Sequence, residues 1–296
     1  MKKALSLLLL LTSIWLTTNA CINHYVINEK GQTGIFSFEN PMHFNSDSAH
    51  LIKQLQLAQE RMNKAPDDKK HEAISDYCAY LLKSGRHKEA LPMLENLQRL
   101  HPKEYSINAN LAVAYELDGQ LEKALSFLKY SLRLDPYSHQ RSEWVHEQIL
   151  IAAILARQQP ENFAQQSIFT LPKGATEEIA AQIAYQLQER VPLTPSPNPL
   201  LSKVLEETAQ YFRQNVSLEW AIEYYAMAIG YSNDDVTKIR LWNQLTQARE
   251  KFVSLQNKKF KSSVGDHLKK ANWKKQVEQI VARWERHKPI YYKGLL

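Results

Sequence analysis

The 296-residue chain has only two cysteines, Cys21 and Cys78, and only eight glycines. Two thiols allow at most one disulfide and leave no Cys pair at zinc-ligand spacing. Eight scattered glycines form neither a phosphate-cradling loop nor a Gly-x-Ser-x-Gly nucleophile elbow. Ten histidines are present, yet His71-Glu72 lacks the second His of a metalloprotease helix. Glu177/Glu178 and Asp234/Asp235 read as acids in the first turns of helices, where the dipole favours them. No metal, no cofactor and no catalytic residue is expected, so the chain reads as a non-enzyme. A nucleic-acid role is also not expected. The net charge of +6 comes from the tail: residues 249–296 hold 13 Lys or Arg against four acids, so the rest sums to −3. The tail carries no nucleic-acid recognition motif.

What is present is a repeat. Gly85-Arg86-His87-Lys88-Glu89-Ala90-Leu91 returns 34 residues later as Gly119-Gln120-Leu121-Glu122-Lys123-Ala124-Leu125. Tyr77/Leu111, Cys78/Ala112, Leu81/Tyr115, Leu94/Leu128 and Pro102/Pro136 keep the same register. A fixed period of this size signals stacked supersecondary units, none of which buries its apolar face alone. Leu111, Ala112 and Tyr115 share one helix face, and Gly119 follows where a left-handed residue ends a helix. Ala124, Leu128, Ser131 and Leu132 line the next helix, which Asp135-Pro136 stops. Small residues at Cys78/Ala90 and Ala112/Ala124 predict two close helix crossings. Cys78 therefore reads as a buried small hydrophobe rather than a reactive thiol. A degenerate third copy is expected at 202–235, with Ala209, Phe212, Ala221, Tyr225 and Ala228 in the spacing of Ala112, Tyr115, Ala124, Leu128 and Ser131. Val216 replaces its turn Gly and Asn233 its closing Pro.

These residues resemble the tetratricopeptide repeat (TPR), a helix-turn-helix module. The resemblance implies an all-α stack of helical hairpins (an α-solenoid) that holds a protein or peptide in a groove. It also implies which residues face that groove, namely those on the first helix of each unit. Here they are Glu72, Ser75, Ala79, Leu82 and Lys83, then Ser106, Ala109, Asn110, Val113, Glu116 and Leu117. The family's chaperone-tail clamp uses Lys and Asn at groove positions. Ser75 and Ala79 stand there in this chain and only Asn110 agrees, so that clamp is not expected to operate.

The segment layout also resembles TPR lipoproteins of bacterial envelopes. Met1-Lys2-Lys3 precedes an uncharged run from Ala4 to Ala20, too short for a transmembrane helix, which needs about 20 apolar residues. Residues 1–20 read as a signal peptide. Cleavage after Ala20 leaves two endings: simple secretion into the periplasm or beyond, or lipidation of Cys21, which would anchor the chain to a membrane. Residues 21–45 read as a short hairpin (Tyr25–Asn28 and Ile35–Phe38) that packs on the first helices or stays mobile. Residues 46–137 follow as a helix capped by Ser46 or Asp47 plus two TPR units. Residues 138–235 form a helical region with the third unit, and 236–296 two basic helices.

Within 138–235, Gln140–Arg157 reads as a helix, 160–175 as irregular, 176–189 as a helix, and the Pro-rich 192–199 as a stiff connector. The tail helices are expected at 235–257 and 263–287. In the second, Trp273, Val277, Ile280 and Trp284 recur at helical spacing beside Lys269, Lys270, Lys274 and Lys275. That stripe caps the last repeat, lies on anionic lipid, or docks an acidic partner. The leading function is an envelope-associated, non-enzymatic adaptor. A structural envelope protein with a membrane-binding tail and an accessory subunit of an envelope enzyme stand beside it.

Overall fold

The computed structural model describes residues 24–36, 48–171, 176–256, 268 and 270–288. Cys21, Ser46 and Asp47, Lys269, the second half of the expected second strand and the start of the last expected helix lie outside them. The described residues form a two-stranded hairpin, β1 (His24–Ile27) and β2 (Thr33–Phe36), followed by helices. These are α1 (Ser48–Lys64), α2 (Lys70–Lys83), α3 (His87–Leu100), α4 (Tyr105–Leu117) and α5 (Leu121–Leu134). Beyond a helical turn at 138–141 come α6 (Glu143–Gln158), α7 (Pro160–Gln165) and α8 (Thr176–Arg190). The last are α9 (Pro199–Asn215), α10 (Leu218–Tyr231), α11 (Asp235–Gln256) and α12 (Trp273–Glu285).

The two repeats are the hairpins α2–α3 and α4–α5. Gly85 and Gly119 sit at φ +68° and +78°, the left-handed conformation the repeat requires of them. Around each, the next backbone N–H reaches back to satisfy a terminal carbonyl: Arg86 N to Leu81 O at 2.9 Å and Gln120 N to Tyr115 O at 2.8 Å. Cys78, Ala90, Ala112 and Ala124 have no exposed surface, and Cys78 Sγ lies 4.0 Å from Ala90 O. Burial pushes the Cys78 thiol up to about 12, so it is not a thiolate at neutral pH. Pro102 and Pro136 end α3 and α5. Asn108 locks the first of these turns, its side-chain amide donating to Pro102 O and Glu104 O.

The third unit, α9–α10, turns without a glycine. Ser217 takes over, its hydroxyl accepting from Trp220 N at the start of α10, while Asn198 caps α9 with Pro199 in the first helical position. All of α10 except Glu223 is buried. An apolar helix of this kind belongs at the centre of a core. The third unit is accordingly the middle of the second half, packed by α9, α11, α12 and β1.

Two apolar cores result. One joins α1 to α5; the other joins the hairpin, α8 and α9 to α12. Helix α6 serves both, placing Val145, Ile149 and Ala152 in the second and Leu150 in the first.

Four expectations need correcting. The hairpin packs on the third unit rather than the first helices: Val26 and Ile27 are buried in the second core, and Glu29 pairs with Arg213 at 2.8 Å. The apolar pair at the C-terminal end of β1 finds its partner face on α10. The helix expected from Gln140 starts at Glu143, because His139, Gln140 and Arg141 all adopt positive φ (45°, 58° and 62°). Residues 160–165, expected to be irregular, form α7, with Pro160 tolerated in its first turn. The helix expected at 263–287 is interrupted at 270–272, with Leu268 helical before the break and Trp273–Glu285 after it.

The tail caps the second half. Trp273, Val277, Val281 and Trp284 are buried, with Ile280 packed beside them. Gly230 of α10 makes room for α12: a Cβ there would overlap Trp284 and come within 3.0 Å of Glu285 N. Trp273 stacks on Trp242, with the Arg249 guanidinium 4.7 Å from its ring centre.

Two measurements test this packing. Gly230→Ala should destabilise the fold by roughly 1–3 kcal/mol through overpacking, and Trp284→Ala by roughly 3–5 kcal/mol through a cavity; urea melts unchanged by either would refute the cap. A second test concerns Glu219, which is 1% exposed beneath the hairpin with one oxygen unbonded, and Glu223 one turn on. Burial raises both carboxyls to about 7. A raised carboxyl holds its proton in the folded state, so its stability is present below the unfolded value of 4.5 and lost as pH rises through about 7. Glu219→Gln should therefore stabilise the protein by roughly 2–3 kcal/mol near pH 8.5 and change little near pH 4; equal effects at both would show that Glu219 is already ionised.

Candidate functional site

The inner helices α2 and α4 present Ala79, Leu82 and Lys83, then Ala109, Asn110, Val113, Glu116 and Leu117, to one cavity of about 530 Å³. Eight of the eleven residues expected to face a groove thus share one wall. The other three differ. Ser75 is 1% exposed, its hydroxyl accepting from Asn110 Nδ2 at 3.1 Å, so it orients Asn110 rather than facing outward. Glu72, paired with Lys69, and Ser106 are exposed but do not line the cavity.

The opposite wall comes from the chain's own second half. Tyr185, Gln186, Glu189 and Arg190 of α8, the connector residues Leu193, Thr194 and Pro195, and Leu200, Leu201 and Val204 of α9 complete the enclosure. Sequence reasoning missed this wall, although the Glu189-Arg190 pair just before the Pro-rich stretch was a signal. Three acids line the cavity, Glu116 on α4, Glu143 on α6 and Glu189 on α8, and each requires a partner.

Those partners form a chain of charges. Arg190 grips Glu116 with both terminal nitrogens, at 2.5 and 3.3 Å. His146 Nε2 lies 2.7 Å from the same carboxylate, and its Nδ1 lies 3.4 Å from Glu143. His139 Nδ1 meets the other Glu143 oxygen at 2.5 Å, and Tyr105 donates to it at 3.4 Å. Lys83 spans the rim to Glu189 at 3.3 Å, with both side chains half exposed. Both ring nitrogens of His146 face carboxylates, so both must donate and the ring is an imidazolium.

The electrostatics agree with that geometry. Burial works against every charge here, but the charges compensate one another. Against burial, Arg190 and His146 hold the Glu116 carboxyl well below its usual range. Glu143 is lowered to about 2 by its hydrogen bonds to His139 and His146, which outweigh burial. His146 is raised to about 9, burial again being outweighed by Glu116. The hydrogen bond to Glu143 also raises His139.

An imidazolium locked between carboxylates is not a general base. The cluster is structural: it docks α8 and α6 onto the concave face of α4. The strained turn at 139–141 serves it, since the left-handed His139 places its ring on Glu143 and its carbonyl accepts from Ser142 Oγ at 2.5 Å. Among the described residues no His, Cys, Asp and Glu group could hold a metal ion, and no helix is long and apolar enough to cross a membrane.

Removing one member should expose the design. Arg190→Met leaves Glu116 buried against a single partner and should cost roughly 3–5 kcal/mol in a urea melt; a loss under about 1 kcal/mol would mean the ion pair does not join the halves. His146 should titrate near pH 9 by ring-proton NMR. Its stabilisation is present below about 6.5 and is lost as pH rises through about 9. A midpoint at or below the ordinary histidine value would refute the imidazolium.

Residues 80–139 match the model of the tetratricopeptide repeat family. No curated protein matches the chain in sequence. Such repeats are protein-interaction modules, generally without catalysis of their own. The match spans the end of α2 through α5, where the two left-handed glycines and the Ala112/Ala124 crossing lie. On these grounds residues 80–139 form tetratricopeptide repeats.

Proposed function

We propose that the protein is a non-enzymatic, envelope-associated scaffold that holds a segment of a partner protein on the inner helices of its repeats. The observation that carries this reading is the convergence of α2 and α4 on one mixed, mildly apolar wall, of the kind that receives a helix or an extended segment. Glu72 and Ser106, exposed on the same two helices beyond the cavity, extend that surface outward. Export follows from the basic start, the short apolar run and the Thr18-Asn19-Ala20-Cys21 junction, with lipid on Cys21 as the anchor and a soluble periplasmic or secreted chain as the alternative.

The basic tail adds a second contact to this reading. Both tail tryptophans are buried, which leaves Lys270, Lys274, Lys275, Arg286 and Lys288 to meet an anionic membrane by charge alone. One lipid chain anchors only weakly, and basic attraction reinforces it.

Photo-crosslinking from single positions tests the scaffold. Probes at Glu72, Ser106 and Leu117 should capture one and the same partner, while a probe at Asn96 on the outer helix α3 should not. Capture from the outer face alone would overturn the reading. For the anchor, mass spectrometry of membrane-extracted protein should find a mature chain that begins with lipidated Cys21. An unmodified Cys21 would leave simple secretion.

A further inference from the structure

Between the two cores lies a space that protein side chains do not fill. It is a cleft, partly open to solvent at the Lys83–Glu189 rim. Here the cavity reaches about 530 Å³, inside the range of about 300–1,000 Å³ that holds small organic ligands. Its walls are mixed, and their apolar residues come from both halves. Ala79, Val113, Leu117 and Ala153 face it from one side, Leu193 and Leu200 from the other, and all six keep part of their surface accessible. Behind them the cavity runs in to the junction of the cores, reaching Leu128 of the first and Ile149, Leu201 and Val204 of the second.

The polar groups are confined and unequal. Glu116, Glu143, His146 and Arg190 are committed to one another at 2.5–3.4 Å. Lys83 is held only by Glu189, in an exposed pair at 3.3 Å. Such pairs are worth little and are readily exchanged. Tyr185 and Asn110 line the same cavity, and Asn110 spends its amide N–H groups on Ser75. The cation that an incoming group can recruit is therefore Lys83, with the half-exposed His139, whose charged form the hydrogen bond to Glu143 favours, as its neighbour.

We propose that this cavity binds a single-chain amphiphile with an anionic head, such as an aliphatic carboxylic acid. The acyl chain lies along Val113, Leu117, Leu193 and Leu200 toward the core junction, and the carboxylate takes Lys83 from Glu189 at the rim. This goes beyond protein capture, because the recognised object is a small molecule that enters between the halves rather than a segment laid on the repeats.

Isothermal titration of the full chain with decanoate, decanol and decyltrimethylammonium, each below its micellar concentration, tests the proposal. Decanoate should bind at one saturable site, about tenfold tighter than decanol and tighter still than the cation. Lys83→Gln, at an exposed position that the fold does not need, should erase the preference for decanoate over decanol. Val113→Phe, which projects extra bulk into the cavity, should abolish binding of both while circular dichroism shows the helices intact. No saturable binding of decanoate to the unaltered chain would overturn the proposal. So would decanol or the cation binding as tightly as decanoate, or a folded Val113→Phe protein that binds decanoate undiminished. If Val113→Phe does not fold, the Lys83→Gln comparison decides alone.

Discussion

A carboxylate taken out of water must be paired, and in this protein that carboxylate is Glu116. It sits on the inner face of α4, where an isolated repeat hairpin would leave it solvated. Once α6 and α8 cover it, the cost of desolvation is offset only if His146 and Arg190 arrive together, in hydrogen-bonding geometry. Each brings a further requirement. His146 needs Glu143, Glu143 needs His139, and His139 needs a left-handed backbone at the end of the second repeat. The strained turn, the late start of α6 and the docking angle of α8 are thus consequences of one buried charge.

The same constraint explains why two cores meet without merging. Helix α6 must offer His146 and Glu143 to the repeat side while its apolar residues continue into the other core. A charge cluster cannot be packed over by leucine and isoleucine, so the cores close around it and leave the cavity beside it. The second half tolerates this because its stability is centred elsewhere, on α10. That helix is enclosed on all sides, by Trp284 against Gly230 and by Val26 and Ile27 of the hairpin. Its buried Glu219 and half-buried Glu223 are the converse of Glu116: carboxyls without cationic partners, which desolvation keeps neutral to higher pH.

The repeats were legible because their determinants are local. Gly85, Gly119, Pro102 and Pro136 act through backbone geometry, and Cys78, Ala90, Ala112 and Ala124 through size, so spacing alone reveals both. The third unit was legible for the same reason, and Ser217 shows how a cap replaces a glycine without changing the hairpin. The tail stripe was legible as an apolar period, and its partner followed from the exposed face it had to cover. What spacing could not show was who meets whom over long separations. Glu116 and Arg190 are 74 residues apart, and Glu29 and Arg213 are 184 apart. No local pattern distinguishes Arg190 from any other arginine at a helix C-terminus. The hairpin was assigned to the nearest helices in sequence for the same reason, although its apolar pair fits α10.

Two repeat hairpins cannot make a solenoid with an open groove, because a stack so short leaves most of its inner face without a neighbour. Longer arrays cover that face with further repeats and keep the groove open along its length. Here α8, the Pro-rich connector and α9 form the facing wall instead. The stiffness of the connector matters for this. Leu193 and Pro195 are held at the cavity wall by hydrogen bonds at the neighbouring residues, Tyr231 Oη donating to Thr194 O at 3.1 Å and Ser196 N to His287 O at 2.9 Å. The capping tail and the binding wall are therefore coupled through one short segment, since His287, just past α12, also touches Val191 O. Any ligand that spreads the cavity must strain the contact between connector and tail, and any change that loosens α12 must loosen the wall.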